Sequence, residues 1–368
     1  MAVENKTTII LPDGRVVEAL KPVIVSASRS TDIPAFYPDW FFKRLEIGYS
    51  VWTNPFNGIR SYISYEDTRF IVFWSKNPRP LLSYLDRLDE RGIGCYIQYT
   101  VNDYEKEGYE PYVPPLFERI DTFKRLAERL GPDRVVWRND PLMLTDMVGI
   151  DELLERMQRI GDALQGYTGK LVFSFADLSC YARVVKNLNN SRVRYIEWEP
   201  DLMKETAREI SKLNSRWGYS LATCAEQIEL DCYGIRHNHC IDEELIVRLA
   251  YMDDKLMHHL GVQFGHAQET LWGFESPPAG SIDLGNGCYA VLTGKNRDRG
   301  QRRRLPHRLH PPGHRVEVSA GQRVAGSFTA ATPSNVIFTG RIVPSGANSI
   351  LSMQVTRWCG PLVGIGRR

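Results

Sequence analysis

Ionisable and amide side chains recur in this chain at the ends of short apolar, strand-forming runs. Ser28 and Arg29 close the run at 23–28, with Asp32 just beyond, and Asn54 follows 50–53. Lys76 and Asn77 follow 70–74, Gln98 and Thr100 lie within 95–100, and Arg138 and Asp140 end 134–138. Asp177 follows 171–175, and Glu226 follows 220–224. Arginine and lysine at such places suit the grip of a carboxylate or phosphate, arginine through a bidentate fork. Carboxylates beside them orient the cations or accept protons. Lys76, Arg138, Asp140 and Glu226 are therefore the candidate catalytic residues. Ser28, Arg29, Asp32, Asn54, Asn77, Gln98, Thr100 and Asp177 are the candidate substrate-binding residues. A structural ion pair accounts for any one charge equally well; the recurrence carries the case.

Bringing these side chains to one place needs a repeating scaffold. The apolar runs alternate with amphipathic stretches at 39–47, 80–91, 115–130, 151–164 and 201–217. Within one of them, Leu116, Ile120, Phe123, Leu126, Ala127 and Leu130 share a helical face. Alternating strands and helices imply parallel strands joined by crossovers. Seven such runs favour a TIM-type (β/α) barrel, closed or incomplete, whose C-terminal rim carries the chemistry. A doubly wound open sheet gives the same local pattern and stays as the alternative. Proline after Asn54, Asn77 and Asp140 biases each towards an extended conformation that ends a strand and aims a side chain. The strand aromatics Trp52, Phe73, Trp74, Tyr99, Trp137, Phe173 and Phe175 read as core. Runs at 7–11 and 15–19 flank Pro12-Asp13-Gly14 and predict a hairpin. The expected organisation is a hairpin at 1–20, a barrel-like domain at 21–301 and an atypical tail at 302–368.

Composition limits the function classes. With 368 residues, 43% of them hydrophobic, the chain can bury a large core and is neither fibrous nor wholly disordered. No apolar run approaches the roughly 18 residues of a membrane span. The first residues lack a basic-then-apolar leader, and seven cysteines are too scattered for a secreted scaffold. A soluble cytoplasmic protein with a small-molecule substrate and no membrane partner is expected. From Arg297 onward there are 12 arginines, no lysine and two acids, a net +10 against +2 for the whole chain, so residues 1–296 carry −8. The body is acidic and the tail basic. Phosphate neutralisation by the arginines suggests nucleic acid, but the run has no interleaved aromatics, so that reading is set aside.

Several segments resemble a known family. Ser26-Ala27-Ser28-Arg29-Ser30-Thr31-Asp32-Ile33-Pro34-Ala35, Asn54-Pro55-Phe56-Asn57, Phe73-Trp74-Ser75-Lys76-Asn77-Pro78 and Val136-Trp137-Arg138-Asn139-Asp140-Pro141 are similar to the bacterial family of domain of unknown function DUF1848. So are Cys224-Ala225-Glu226, Cys240-Ile241-Asp242 and Arg297-Asp298-Arg299-Gly300-Gln301-Arg302, although Asn139 stands where the family has tyrosine. The resemblance implies a relative of radical S-adenosylmethionine enzymes with a barrel-like body. It also implies a C-terminal C-x-C, Asp-Ile-Gly and C-x3-C-x2-C series. Three such cysteines hold a [4Fe–4S] cluster and leave one iron for S-adenosylmethionine.

This chain departs from that pattern after Arg302. No C-x3-C-x2-C occurs anywhere in it, and Cys359 is its last cysteine. Residues 318–368 contain no Asp, Glu, Lys, His or Tyr, where 44 acids in the whole chain would place about six. A frameshift near codon 302 accounts for both features, and a divergent tail is the alternative. Shifted by one base, Gly313-His314-Arg315 and the following valine can encode Asp-Ile-Gly. The tail is expected to be poorly ordered, and this chain is expected to hold neither cluster nor S-adenosylmethionine. The alternative functions are a metal-independent barrel enzyme or a non-catalytic anion-binding protein.

Cysteine spacing adds one constellation. Cys224, Cys232 and Cys240 recur at C-x7-C-x7-C, with His237 and His239 beside them. Cys232, His237, His239 and Cys240 are zinc-ligand types at a spacing that fits no standard finger. The resemblance instead favours Cys224 and Cys240, which match family positions, as half of an auxiliary cluster site. Cysteines without metal are an equal alternative. Cys95 and Cys180 read as core and loop residues.

Overall fold

The computed structural model describes residues 6–27, 31–53, 59–110, 112–177, 182–224, 226–270, 273–293 and 350–352. Two compact units divide the chain: Met1–Leu260 with Ile337–Arg368, and Gly261–Val336.

In the first unit, β1 (Lys6–Ile10) and β2 (Val16–Leu20) form the expected hairpin, turning through Gly14 at φ +82°. The hairpin continues into a four-stranded sheet, because β2 pairs with β5 (Arg60–Ser64) and β5 pairs antiparallel with β4 (Tyr49–Thr53). The run at 50–53 therefore belongs to this small sheet and not to the series of parallel strands. Its antiparallel partner, β5, carries a half-exposed pattern that gives little sign of a strand in the sequence.

The main sheet takes β3 (Ile24–Ala27), β6 (Phe70–Ser75), β7 (Gly94–Thr100), β8 (Val135–Leu142), β10 (Lys170–Phe175), β12 (Ser220–Cys224) and β13 (Ile235–Asn238) in that spatial order. All seven are parallel and follow chain order. Short β9 (Leu144–Thr145) and β11 (Tyr195–Ile196) pair with each other outside it. Residues 350–352, strand β19, run parallel to β3 at the outer edge. A doubly wound sheet reverses its strand order at a switch point. This order never reverses, so the sheet is singly wound. It is open among the described residues: β13 and β3 are not paired, and no closed barrel forms. The seventh parallel strand is β13, which the hydrophobic pattern did not reveal, since His237 and Arg236 give it two exposed polar positions.

Right-handed crossovers in a singly wound sheet place their helices on one face. The connections include α1 (Ile33–Phe36), α2 (Pro38–Ile47), α3 (Leu85–Asp89), α4 (Leu116–Leu130), α5 (Ile150–Leu164), α6 (Ala182–Asn190) and α7 (Pro200–Trp217). Aromatic side chains lock that face. Tyr99 stacks on Phe123 of α4 at 5.5 Å, Phe73 meets Phe41 of α2 at 5.8 Å, and Trp137 meets Trp217 of α7 at 6.1 Å. Each such pair adds about 0.5–1.5 kcal/mol beyond area burial. Gly161 of α5 is required by this packing, because a Cβ there would lie 2.4 Å from the Trp217 ring. After β13 the chain crosses to the opposite face and enters α8 (Glu243–Ala250) and α9 (Asp254–Leu260). Asp242 caps α8 and donates its N–H to Tyr96 Oη at 3.0 Å, while Arg134, just before β8, reaches the Leu249 carbonyl at 2.9 Å.

The second unit is a small antiparallel sheet of β14 (Val262–His266), β18 (Cys288–Leu292) and β17 (Ile282–Gly285), with a short ribbon of β15 (Glu269–Thr270) and β16 (Gly273–Phe274). Residues 294–349 and 353–368 hold most of the atypical tail and lie outside the described residues. Within the described residues no helix is long and apolar enough to cross a membrane.

Candidate functional site

Alternation along each strand sorts its side chains between two faces. Phe73, Tyr99 and Trp137 go to the helices; Trp74, Gln98 and Arg138 go to the opposite, inner face. Register extends the set: Arg138 lies beside Val172 and Val172 beside Ala222, so Ser174 and Cys224, each two residues on, share the inner face near the C-terminal ends of the strands.

Arg138 is the centre of this set. Its residue is 2% exposed, and its guanidinium lies over the Trp74 ring, 4.7 Å from the centroid. Nη1 donates to Gln98 Oε1 at 2.6 Å, and Nε donates to Asp140 Oδ2 at 3.1 Å. Nη2 also donates to Asp140 Oδ2, and the Cys224 sulfur lies beside the guanidinium. The fork expected to grip a ligand is therefore engaged by Asp140, and Arg138 acts on its protein neighbours. Gln98 is fixed at both ends, since its Nε2 donates to the Cys240 carbonyl at 2.8 Å. Asp140 also accepts from Ser174 Oγ, and its backbone is held by Asn102, whose Oδ1 accepts Asp140 N–H at 2.9 Å.

These surroundings separate the carboxylates. Burial pushes the Asp140 carboxyl up, but Arg138 and Ser174 outweigh it and hold the group below the usual carboxylate range. Glu226 accepts the Phe175 N–H at 2.8 Å; burial raises its carboxyl above the usual range, and the charges of Asp140 and Asp177 add to the rise. Neighbouring carboxyls pushed in opposite directions are the arrangement from which acid–base pairs are built. Cys224 and Cys240 come together: a hydrogen bond from Cys240, then burial, raises the Cys224 thiol well above its ordinary value.

The remaining expected residues divide. Lys76 pairs with Glu110, both side chains largely buried at 12% and 8% exposure. Asp32 caps α1, accepting from Ala35 N at 3.0 Å, and takes the Lys76 N–H at 2.9 Å; burial raises its carboxyl. Asn77 donates its backbone N–H to Ser75 Oγ at 2.9 Å, in a turn. Thr100 ends β7 beside Arg138, and Asp177 is exposed past β10. Ser28, Arg29, Asn54 and Cys180 lie outside the described residues.

Two further expectations change. Trp74, read as core, is half-buried on the inner face, and its indole N–H has no hydrogen-bond partner among the described residues. The period-2 relation of Trp74 to Lys76 was the available signal. Trp52, Phe73, Tyr99, Trp137, Phe173 and Phe175 are buried as expected, and so is Cys95, whose thiol burial pushes up to about 12. The zinc set of Cys232, His237, His239 and Cys240 does not assemble: Cys232 and both histidines are exposed, and His237 pairs with Glu229 at 3.2 Å. Among the described residues no three His, Cys, Asp or Glu side chains converge as metal ligands. Ser174, Glu110 and Asn102 were missed, because only register and fold bring them to the cluster.

No curated protein matches the chain. A family model described as a domain of unknown function, DUF1848, matches residues 24–266, well over half of the sequence and the whole of the seven-stranded sheet. The match holds every described residue of the inner-face cluster and ends before Arg302, where the composition changes. The chain therefore belongs to the DUF1848 family.

Proposed function

We propose that this chain is the barrel-like body of an enzyme related to the radical S-adenosylmethionine class, and that its cluster-bearing segment has been lost through a change of reading frame near codon 302. One observation supports the reading most: a singly wound parallel sheet packs its crossover helices on one face and gathers Trp74, Gln98, Arg138, Asp140, Ser174 and Cys224 on the other, near the strand ends. Such strand ends are where β/α enzymes carry their chemistry. The indole N–H of Trp74, without a partner among the described residues, leaves one donor for a bound molecule.

The residues of this chain do not fit the cluster itself. It needs three cysteines at close spacing, and the sequence has no C-x3-C-x2-C. What this chain retains is the binding half. Arg138, buried and held by Asp140 and Gln98, fixes the groups around it, and the split carboxyls of Asp140 and Glu226 can hold and accept a proton. A small polar molecule is the substrate class these groups suit.

The test is a gene with one base restored near codon 302, expressed beside the present chain. After anaerobic reconstitution with iron and sulfide, the restored protein is expected to be brown and to hold about four irons or more per chain. It should also cleave S-adenosylmethionine under strong reductant. A restored protein that stays colourless and iron-free would overturn the proposal.

A further inference from the structure

The segment that follows α6 forms a small groove, lined by Asn189, Arg192, Val193, Arg194 and Tyr195, with a volume of about 240 Å³. Two contacts fix this segment at the C-terminal end of β8. Tyr195 pairs with Thr145, and the Trp198 indole N–H donates to the Leu142 carbonyl at 3.0 Å. The groove thus stands at the end of the sheet where the inner-face cluster lies. Val193 is buried, and the arginines on either side of it are exposed. Neither arginine has an ion-pair partner among the described residues, and no acid lines the groove. Asp146 is engaged with the Arg194 backbone, accepting its N–H at 3.2 Å and donating its own N–H to the Arg194 carbonyl at 2.8 Å. In a body whose first 296 residues carry a net −8, two adjoining unpaired arginines are a local exception.

The backbone adds an independent observation. Helix α6 ends in a Schellman turn: the Val193 N–H donates to the Leu188 carbonyl and the Arg192 N–H to the Asn189 carbonyl, both at 3.0 Å. The left-handed position of that turn is normally glycine, and here it is Arg192 at φ +58°. Asn286, the other non-glycine residue with positive φ among the described residues, is of a type that tolerates it. A long cationic side chain kept in a strained position is the kind of outlier that marks a binding site.

We propose that Arg192 and Arg194 form a phosphate subsite, and that the molecule bound at the strand ends is a small phosphate monoester. Guanidinium forks match phosphate oxygens in pairs. Two of them balance the nearly two negative charges of a monoester at neutral pH, whereas a carboxylate offers one. Size agrees. Sites for drug-sized ligands run from about 300 to 1,000 Å³, so this groove suits one small group and leaves the rest of the molecule outside it. The Asn189 side chain and the Tyr195 hydroxyl are the further polar groups on its wall. The substrate assignment rests on the reading of the strand ends as the reacting end of the protein; the subsite itself does not.

Calorimetric titration of the full chain with inorganic phosphate and, separately, with methyl phosphate is the test. Both are expected to bind at one site per chain, with dissociation constants in the millimolar range or tighter. Arg194→Gln should weaken each by about tenfold or more, as the loss of one charge-assisted hydrogen bond would. Arg208→Gln, on α7, should change neither. Arg192→Gly guards against a variant that merely fails to fold. Glycine is the favoured residue at that left-handed position, so the melting temperature should rise while phosphate binding weakens by a similar factor. Absence of binding by both compounds, or binding that Arg192→Gly and Arg194→Gln leave unchanged, overturns the proposal. Binding of inorganic phosphate with exclusion of methyl phosphate overturns the assignment to an organic substrate. These titrations need neither iron nor a restored frame, so a failure here and a failure of the enzyme reading are told apart.

Discussion

Asp140→Ala removes the carboxylate that answers the buried Arg138. Breaking a buried ion pair from one side costs about 3–5 kcal/mol, because the remaining charge keeps its desolvation penalty. Two features reduce the figure here. The Asp140 side chain is 23% exposed, so water can take part of its place, and Gln98 still accepts from the guanidinium. A loss of about 2–3 kcal/mol follows from the lower part of that range. For a unit of this size each kcal/mol moves the melting temperature by about 2–4 °C, so a fall of roughly 5–10 °C is predicted in calorimetry at neutral pH. The double variant Arg138→Met with Asp140→Ala removes both charges and should recover to within about 1 kcal/mol of the unaltered chain. A fall below about 2 °C for Asp140→Ala, or a double variant as unstable as the sum of the singles, would refute the claim that a buried cation organises the inner face.

Other perturbations probe other parts of the molecule. Gln98→Leu cuts the link between Arg138 and the Cys240 carbonyl, and equilibrium denaturation should show a loss of about 1.5–3 kcal/mol, as for hydrogen bonds to a charged group. Gly161→Ala forces a methyl group against Trp217 and should cost about 1–3 kcal/mol; an unchanged melting curve would mean the α5–α7 contact is loose. His259 is buried on α9 with neither ring nitrogen hydrogen-bonded among the described residues, and burial lowers its ring below the ordinary histidine value. A folded value below the unfolded one means that stability is fully present above about pH 6.5 and is lost as pH falls through the folded value. His259→Phe should therefore flatten the stability profile on the acid side of about pH 6.5. An identical profile in the variant would show that another group carries the acid sensitivity.

Much of the scaffold was legible because its helices are long and strongly periodic. The predicted helix at 115–130 is Leu116–Leu130, and that at 151–164 is Ile150–Leu164. The stretch at 80–91 instead splits into a 3-10 turn, Arg79–Tyr84, and the short helix Leu85–Asp89. Strand count came out at seven with different members, since a short apolar run does not announce its partner. Tyr49–Thr53 joins an antiparallel sheet, and polar Ile235–Asn238 completes the parallel one. Of the site, Arg138 and Asp140 could be named from strand ends and Cys224 from cysteine spacing and the resemblance, but the roles they take depend on neighbours far away in sequence. Gln98 touches Cys240 across 142 positions, and Asp140 meets Ser174 across 34. Neither contact leaves a trace in local spacing. Arg138 was legible as a charge and not as a charge already satisfied.

Reading the coding DNA and its messenger across codon 302 decides whether the reading frame has changed there. One base missing or extra is expected near that codon, with the corrected frame delivering C-x3-C-x2-C downstream of the arginine run. A single uninterrupted frame in both DNA and messenger, ending in the acid-free tail, would contradict a frame error in the sequence. A corrected frame without the cysteine series would contradict the enzyme class as well.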